Sequence, residues 1–80
     1  MSSKDIESKI INVMCSVFNI DKTKINKDMN NENTDGWDSL KHMNLIIALE
    51  EEFNLSFDDS EIVKINSLKK INEVISKKKL

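Results

Sequence analysis

Gly36-Trp37-Asp38-Ser39-Leu40 runs straight into Lys41-His42-Met43-Asn44-Leu45-Ile46-Ile47-Ala48-Leu49-Glu50-Glu51-Glu52-Phe53, and the rest of the chain is arranged about this passage from loop to helix. The sole glycine and the sole tryptophan lie within three residues of Ser39. Gly36 adopts a positive φ without steric cost, so it suits a sharp turn ahead of a helix. Asp38 follows as a natural N-cap, its carboxylate placed to accept from first-turn N–H groups. Ser39 is then expected at the rim of a helix N-terminus, exposed and mounted on a rigid element. Free N–H groups and the positive end of the helix dipole gather there, a favourable field for a phosphate carried on the serine oxygen.

The remaining pattern is helical. Eighty residues, 39% of them apolar and 32% charged, with no proline and one glycine, suit one small helical domain over residues 1–80. A first helix is expected from Ser2 or Ser3, with Asp5 in capping position and Ile6, Ile10, Val13, Met14, Val17 and Phe18 as its apolar stripe. Cys15 beside that stripe reads as a small buried hydrophobe. Asn19 to Asp35 lose the periodicity and form a long loop pinned by Ile20, Ile25 and Met29. A second helix spans about Ser39 to Phe53, with Leu40, Met43, Ile47 and Phe53 in register and Leu45, Ile46 and Leu49 widening the buried face. Asn54 closes it, a short third helix lies near Asp58 to Lys64, and Ser67 caps a fourth that buries Leu68, Ile71, Val74 and Ile75. The fold class is therefore all-α, a small four-helix bundle of three longer helices and one short third helix.

Charge and cysteine usage narrow the function. The net charge is -2, but from Asp28 to Glu61 ten acids face the single base Lys41. That imbalance argues against nucleic acid and for partners with basic surfaces. One cysteine and no leader-like segment suggest a reducing cytoplasm, and no apolar run is long enough to span a bilayer. Lys41 in the first turn of the second helix, with Glu50, Glu51 and Glu52 in its last, opposes the helix dipole. Such an arrangement suggests a docking role, with Asp35, Asp38, Glu50 and Glu51 presenting carboxylates to lysine and arginine on partner enzymes.

Two chemistries compete for the central stretch. Asn31, Asn33, Asp35, Gly36 and Trp37 fall on the spacing of an EF-hand loop, yet the twelfth position is His42 in place of a bidentate glutamate, leaving at best a degenerate calcium-binding module. Ser39, His42 and Asp38 could be read as a small serine hydrolase, but the string lacks a nucleophile elbow and an oxyanion hole, and Asp38 is better employed as a cap. On that reading His42 is a surface residue, and neither a catalytic nor a metal site is expected.

Asp38-Ser39-Leu40 followed by Leu45-Ile46-Ile47-Ala48-Leu49-Glu50-Glu51-Glu52-Phe53 resembles the acyl carrier proteins. The resemblance continues through Leu55-Ser56-Phe57-Asp58-Asp59 and Asn66-Ser67-Leu68, and so covers nearly the whole chain. It implies that Ser39, flanked by Asp38 and Leu40, takes a 4'-phosphopantetheine arm from coenzyme A, which makes the chain a phosphoprotein. The thiol of the arm then holds acyl or aminoacyl groups as thioesters. The implied partners are a phosphopantetheinyl transferase, an acyl- or aminoacyl-loading enzyme and acyl-accepting enzymes, with the carrier a monomer and not itself an enzyme. Lys41, His42, Met43 and Asn44 stand where carriers for general fatty-acid synthesis keep acids and small apolar residues. Gly36 to His42 is more similar to stand-alone carriers of a dedicated lipid or secondary-metabolite pathway.

Overall fold

The computed structural model describes residues 2–79. Four helices follow in order, α1 (Ser3–Phe18), α2 (Ser39–Phe53), α3 (Asp59–Lys64) and α4 (Leu68–Lys79), and a 3-10 turn over Lys22–Lys24 interrupts the long loop after α1. No β-strand occurs among the described residues, so the chain is the expected small helical bundle. α1 packs on both α2 and α4, within a body of 30 × 27 × 20 Å.

Local side chains fix the boundaries. Ser2 caps α1 by accepting from the Asp5 N–H at 3.2 Å, and Ser67 does the same for α4 from the Lys70 N–H at 3.1 Å. α1 and α2 both end on asparagine in the left-handed conformation, Asn19 at φ 53° and Asn54 at φ 52°. Asp58 and Glu61 make a reciprocal capping box at the start of α3.

The core is aliphatic. Ile6, Ile10, Met14, Leu45, Ile46, Leu49, Ile65, Ile71 and Ile75 are fully buried, and no polar or charged residue joins them among the described residues. Met29 is buried with them, while Ile20 and Ile25 pack at the margin, so the long loop is held by all three of its expected apolar residues. A short antiparallel bridge holds it as well. Asn31 N–H donates to the Asn66 carbonyl and Leu68 N–H to the Met29 carbonyl, each at 2.9 Å, so the loop is fastened to the start of α4.

The buried face of α2 differs from the expected one. Leu45, Ile46, Leu49 and Phe53 are buried, but Leu40 is 71% exposed, Met43 45% and Ile47 50%. At about 100° per residue, positions 40, 43 and 47 form a second stripe on roughly the opposite side of the cylinder. α1 covers only one side of α2, so the helix is not packed all round. Cys15 is half-buried at the edge of α1, less enclosed than the sequence suggests.

Candidate functional site

The site is the mouth of α2. Gly36 turns the chain at φ 84°, and a Cβ there would meet no atom within 4 Å, so the requirement is conformational and not spatial. Trp37 is buried, its ring 5.3 Å from that of Phe18. This plugs the loop onto α1 and aims the next residues outward. Asp38 is extended and caps the helix, its Oδ1 accepting from the Lys41 N–H at 2.8 Å.

Ser39 follows as the first helical residue and is exposed. The N–H groups of Ser39 and Leu40 have no carbonyl one turn back to bond to, so they face outward with the positive end of the dipole. Ser39 stands on the rim of an open cleft of about 460 Å³ whose walls include Asn31, Met43, Val63 and Asn66. A phosphate ester on the Ser39 oxygen would fit here, with room around it and free N–H groups beside it. Its chain would leave along a wall of two amide and two apolar side chains.

His42 is not the surface residue the sequence suggests. It is half-buried, and both ring nitrogens are engaged: Trp37 Nε1–H donates to Nδ1 at 3.1 Å, and Nε2 lies 2.9 Å from the Ile62 carbonyl. The neutral tautomer with its proton on Nε2 satisfies both contacts at once. The physical reason is register, since His42 begins the stripe that continues through Leu45, Ile46, Leu49 and Phe53. A histidine committed to Trp37 and Ile62 is not poised as a base for Ser39, so the hydrolase arrangement is not assembled.

One of the side-chain oxygens of the calcium reading is likewise in use. Asn33 Oδ1 accepts from the Asn30 N–H at 2.9 Å and from the Thr34 hydroxyl at 3.1 Å, which turns it into the loop. Among the described residues no three His, Cys, Asp or Glu side chains converge on a possible metal position.

The acids divide into two groups. Asp35, Asp38 and Glu51 are exposed near or along α2, whereas Glu50 is half-buried and accepts from the Phe57 N–H at 2.9 Å. Lys41 is also occupied within the fold, donating to the Val17 carbonyl at 3.2 Å. Two of the reversed charges of α2, Lys41 and Glu50, thus have partners in neighbouring segments, which helix-by-helix reading does not reveal, while Glu51 and Glu52 are exposed.

α3 contains no fully buried residue; Ile62 packs against the core and polar contacts hold the rest. Lys78 bridges to Glu61 at 2.9 Å. The Asp58 carboxyl is held below its usual range, first by the Glu61 N–H and then by the Ser60 hydroxyl. Glu61 is lowered by the Asp58 N–H and then by Lys78.

Comparison with known proteins joins this geometry to a family. The family described as "Phosphopantetheine attachment site" matches residues 8–75. The chain belongs to the acyl carrier proteins. An "Acyl carrier protein" of Buchnera aphidicola subsp. Acyrthosiphon pisum (strain Tuc7) is 39% identical over 77 residues, covering 96% of each chain. Another, from Guillardia theta, is 32% identical over 78 residues, 98% of this chain and 96% of that one. A third, from Lactobacillus johnsonii, is 31% identical over 75 residues, 94% of each. The prosthetic group of the family is a covalently attached 4'-phosphopantetheine, and the chain is a carrier and not a catalyst. That role entails contact with a phosphopantetheinyl transferase and with acyl-handling enzymes. No helix among the described residues is long and apolar enough to cross a membrane.

Proposed function

We propose that Ser39 is the attachment point, and that residues 1–80 act as one monomeric carrier domain of the cytoplasm serving a dedicated lipid or secondary-metabolite pathway. The observation that carries the site is the exposed hydroxyl at the first helical position of α2, above an open cleft and beside two free N–H groups. Asp38 shapes that helix mouth as its cap, and Leu40 presents an exposed side chain one residue on. Attachment joins the Ser39 oxygen to the phosphate of the pantetheine half of coenzyme A, with adenosine 3',5'-bisphosphate leaving and the serine proton taken up by the transferase or water.

Docking is read from the same face. Leu40, Met43 and Ile47 on α2 and Val63 on α3 are exposed, an apolar ridge beside Ser39 with Asp35, Asp38 and Glu51 at hand and Glu50 partly withdrawn. The ridge supplies contact area, and the carboxylates steer basic partner surfaces toward it. A dedicated pathway is supported by Lys41 and His42, because both are tied into this fold at positions where general fatty-acid carriers keep other residues.

The experiment is a transfer assay with coenzyme A and a promiscuous phosphopantetheinyl transferase. Wild type should take up one arm and Ser39→Ala none. For the pathway, the loaded protein is offered to a general fatty-acid synthase system. Poor elongation beside a competent control carrier is expected, and elongation equal to the control would remove the dedicated-pathway reading.

A further inference from the structure

The seam between α2 and α3 is where the cleft below Ser39 meets the core, because the fully buried Ile65 reaches its inner wall. An apolar group carried on an arm from Ser39 would have to part these two helices to enter the aliphatic interior. α3 is well suited to yield, being short and without buried residues of its own. One hydrogen bond spans the seam at the required place, from His42 on α2 to the Ile62 carbonyl on α3 at 2.9 Å. The Trp37 indole N–H donates to the other nitrogen of the same ring at 3.1 Å, and the indole is itself wedged against Phe18. His42 therefore cannot swing aside without unpairing a buried indole N–H and a carbonyl together.

We propose that His42 is a positioning residue that determines what the carrier accepts: by linking Trp37 to Ile62 it bars the α2–α3 seam and keeps the cargo in the open cleft. That cleft has room of about 460 Å³ and mixes Asn31 and Asn66 with Met43 and Val63. Its walls match a short acyl group with polar substituents, bound against amides, better than a long alkyl chain that needs a dry interior. The inference rests on attachment at Ser39.

The test compares acetyl and decanoyl thioesters on the holo forms of wild type, His42→Ala and His42→Gln, after the mass of each confirms one arm. The Trp37 indole N–H signal and the methyl signals of Leu45, Ile62 and Ile65 are followed by NMR, together with Tm. In wild type, decanoyl should leave the indole, the methyls and Tm where acetyl leaves them. In His42→Ala, decanoyl should shift the methyls and raise Tm by several degrees over acetyl. Glutamine, which can accept from one neighbour and donate to another, should restore wild-type behaviour. Wild type that takes decanoyl into its core, whether or not the indole signal moves, overturns the proposal, and so does a folded His42→Ala that still excludes it. Either result, in proteins whose mass shows the arm in place, leaves Ser39 as the attachment point untouched.

Discussion

The Lys41 ammonium donates to the Val17 carbonyl at 3.2 Å, so the first turn of α2 caps the last turn of α1. α1 has no basic residue of its own in that turn, and its terminal carbonyls carry the negative end of a dipole. A charge unfavourable to its own helix thereby favours the neighbouring one. Lys41→Met keeps the aliphatic stem and removes the donor. It should destabilise the protein by about 1 kcal/mol, read from urea unfolding, without changing uptake of the arm at low denaturant.

Asp38 combines a cap and a charge, and the two can be separated. Asparagine caps as well as aspartate, whereas alanine does not. Asp38→Ala should cost about 1 kcal/mol and Asp38→Asn close to none. If the charge steers partners, both substitutions should slow transfer by a similar factor at low salt and converge on wild type at high salt. A slowing that follows stability alone would assign Asp38 to the cap only.

The register of α2 gives a contrast in stability. Leu49→Ala removes a fully buried side chain and should cost about 2–5 kcal/mol. Met43→Ala and Leu40→Ala lie on the exposed stripe and should change stability by no more than about 0.5 kcal/mol, while weakening partner transfer. Equal losses of stability at positions 43 and 49 would restore the broader buried face that the sequence suggests.

That register marks where sequence reading stops. Asp38 and Ser67 were legible as caps, and Ser2 or Ser3 as a helix start, because a cap is made within three residues of itself. Leu40, Met43 and Ile47 were not legible as a surface stripe, because α2 has more apolar positions than one face can bury, and composition alone does not say which face meets α1. His42 does carry a local signal, since it stands three and four residues before Leu45 and Ile46 and leads the stripe that is buried. Its bond to Ile62 and that of Lys41 to Val17 join residues 20 and 24 apart, and no local pattern encodes such pairs.

α3 should respond to acid before the core does. The Asp58 and Glu61 carboxyls are held below their ordinary values of 3.8 and 4.5 by hydrogen bonds that only the folded chain makes. Groups depressed in this way stabilise the fold fully above those ordinary values, and the contribution is lost as pH falls through the lower folded ones. NMR signals of Ile62 and Val63 should therefore move in that acidic window ahead of those of Leu49 and Ile71. Glu61→Gln, which also weakens the bridge to Lys78, should leave α3 looser at neutral pH and flatten the acid response.

The central claim is that the Ser39 oxygen is a handle for other enzymes. It is tested most directly by locating the arm in the sequence: holo protein is digested, and the fragment containing Gly36 to Leu40 is examined by tandem mass spectrometry. The expected result is loss of the pantetheine group from that fragment, with the phosphate traced to Ser39, and an unmodified Ser39→Ala protein under the same conditions. An arm mapped to any other serine, or an exposed Ser39 that stays bare while a control carrier is fully converted, would contradict it.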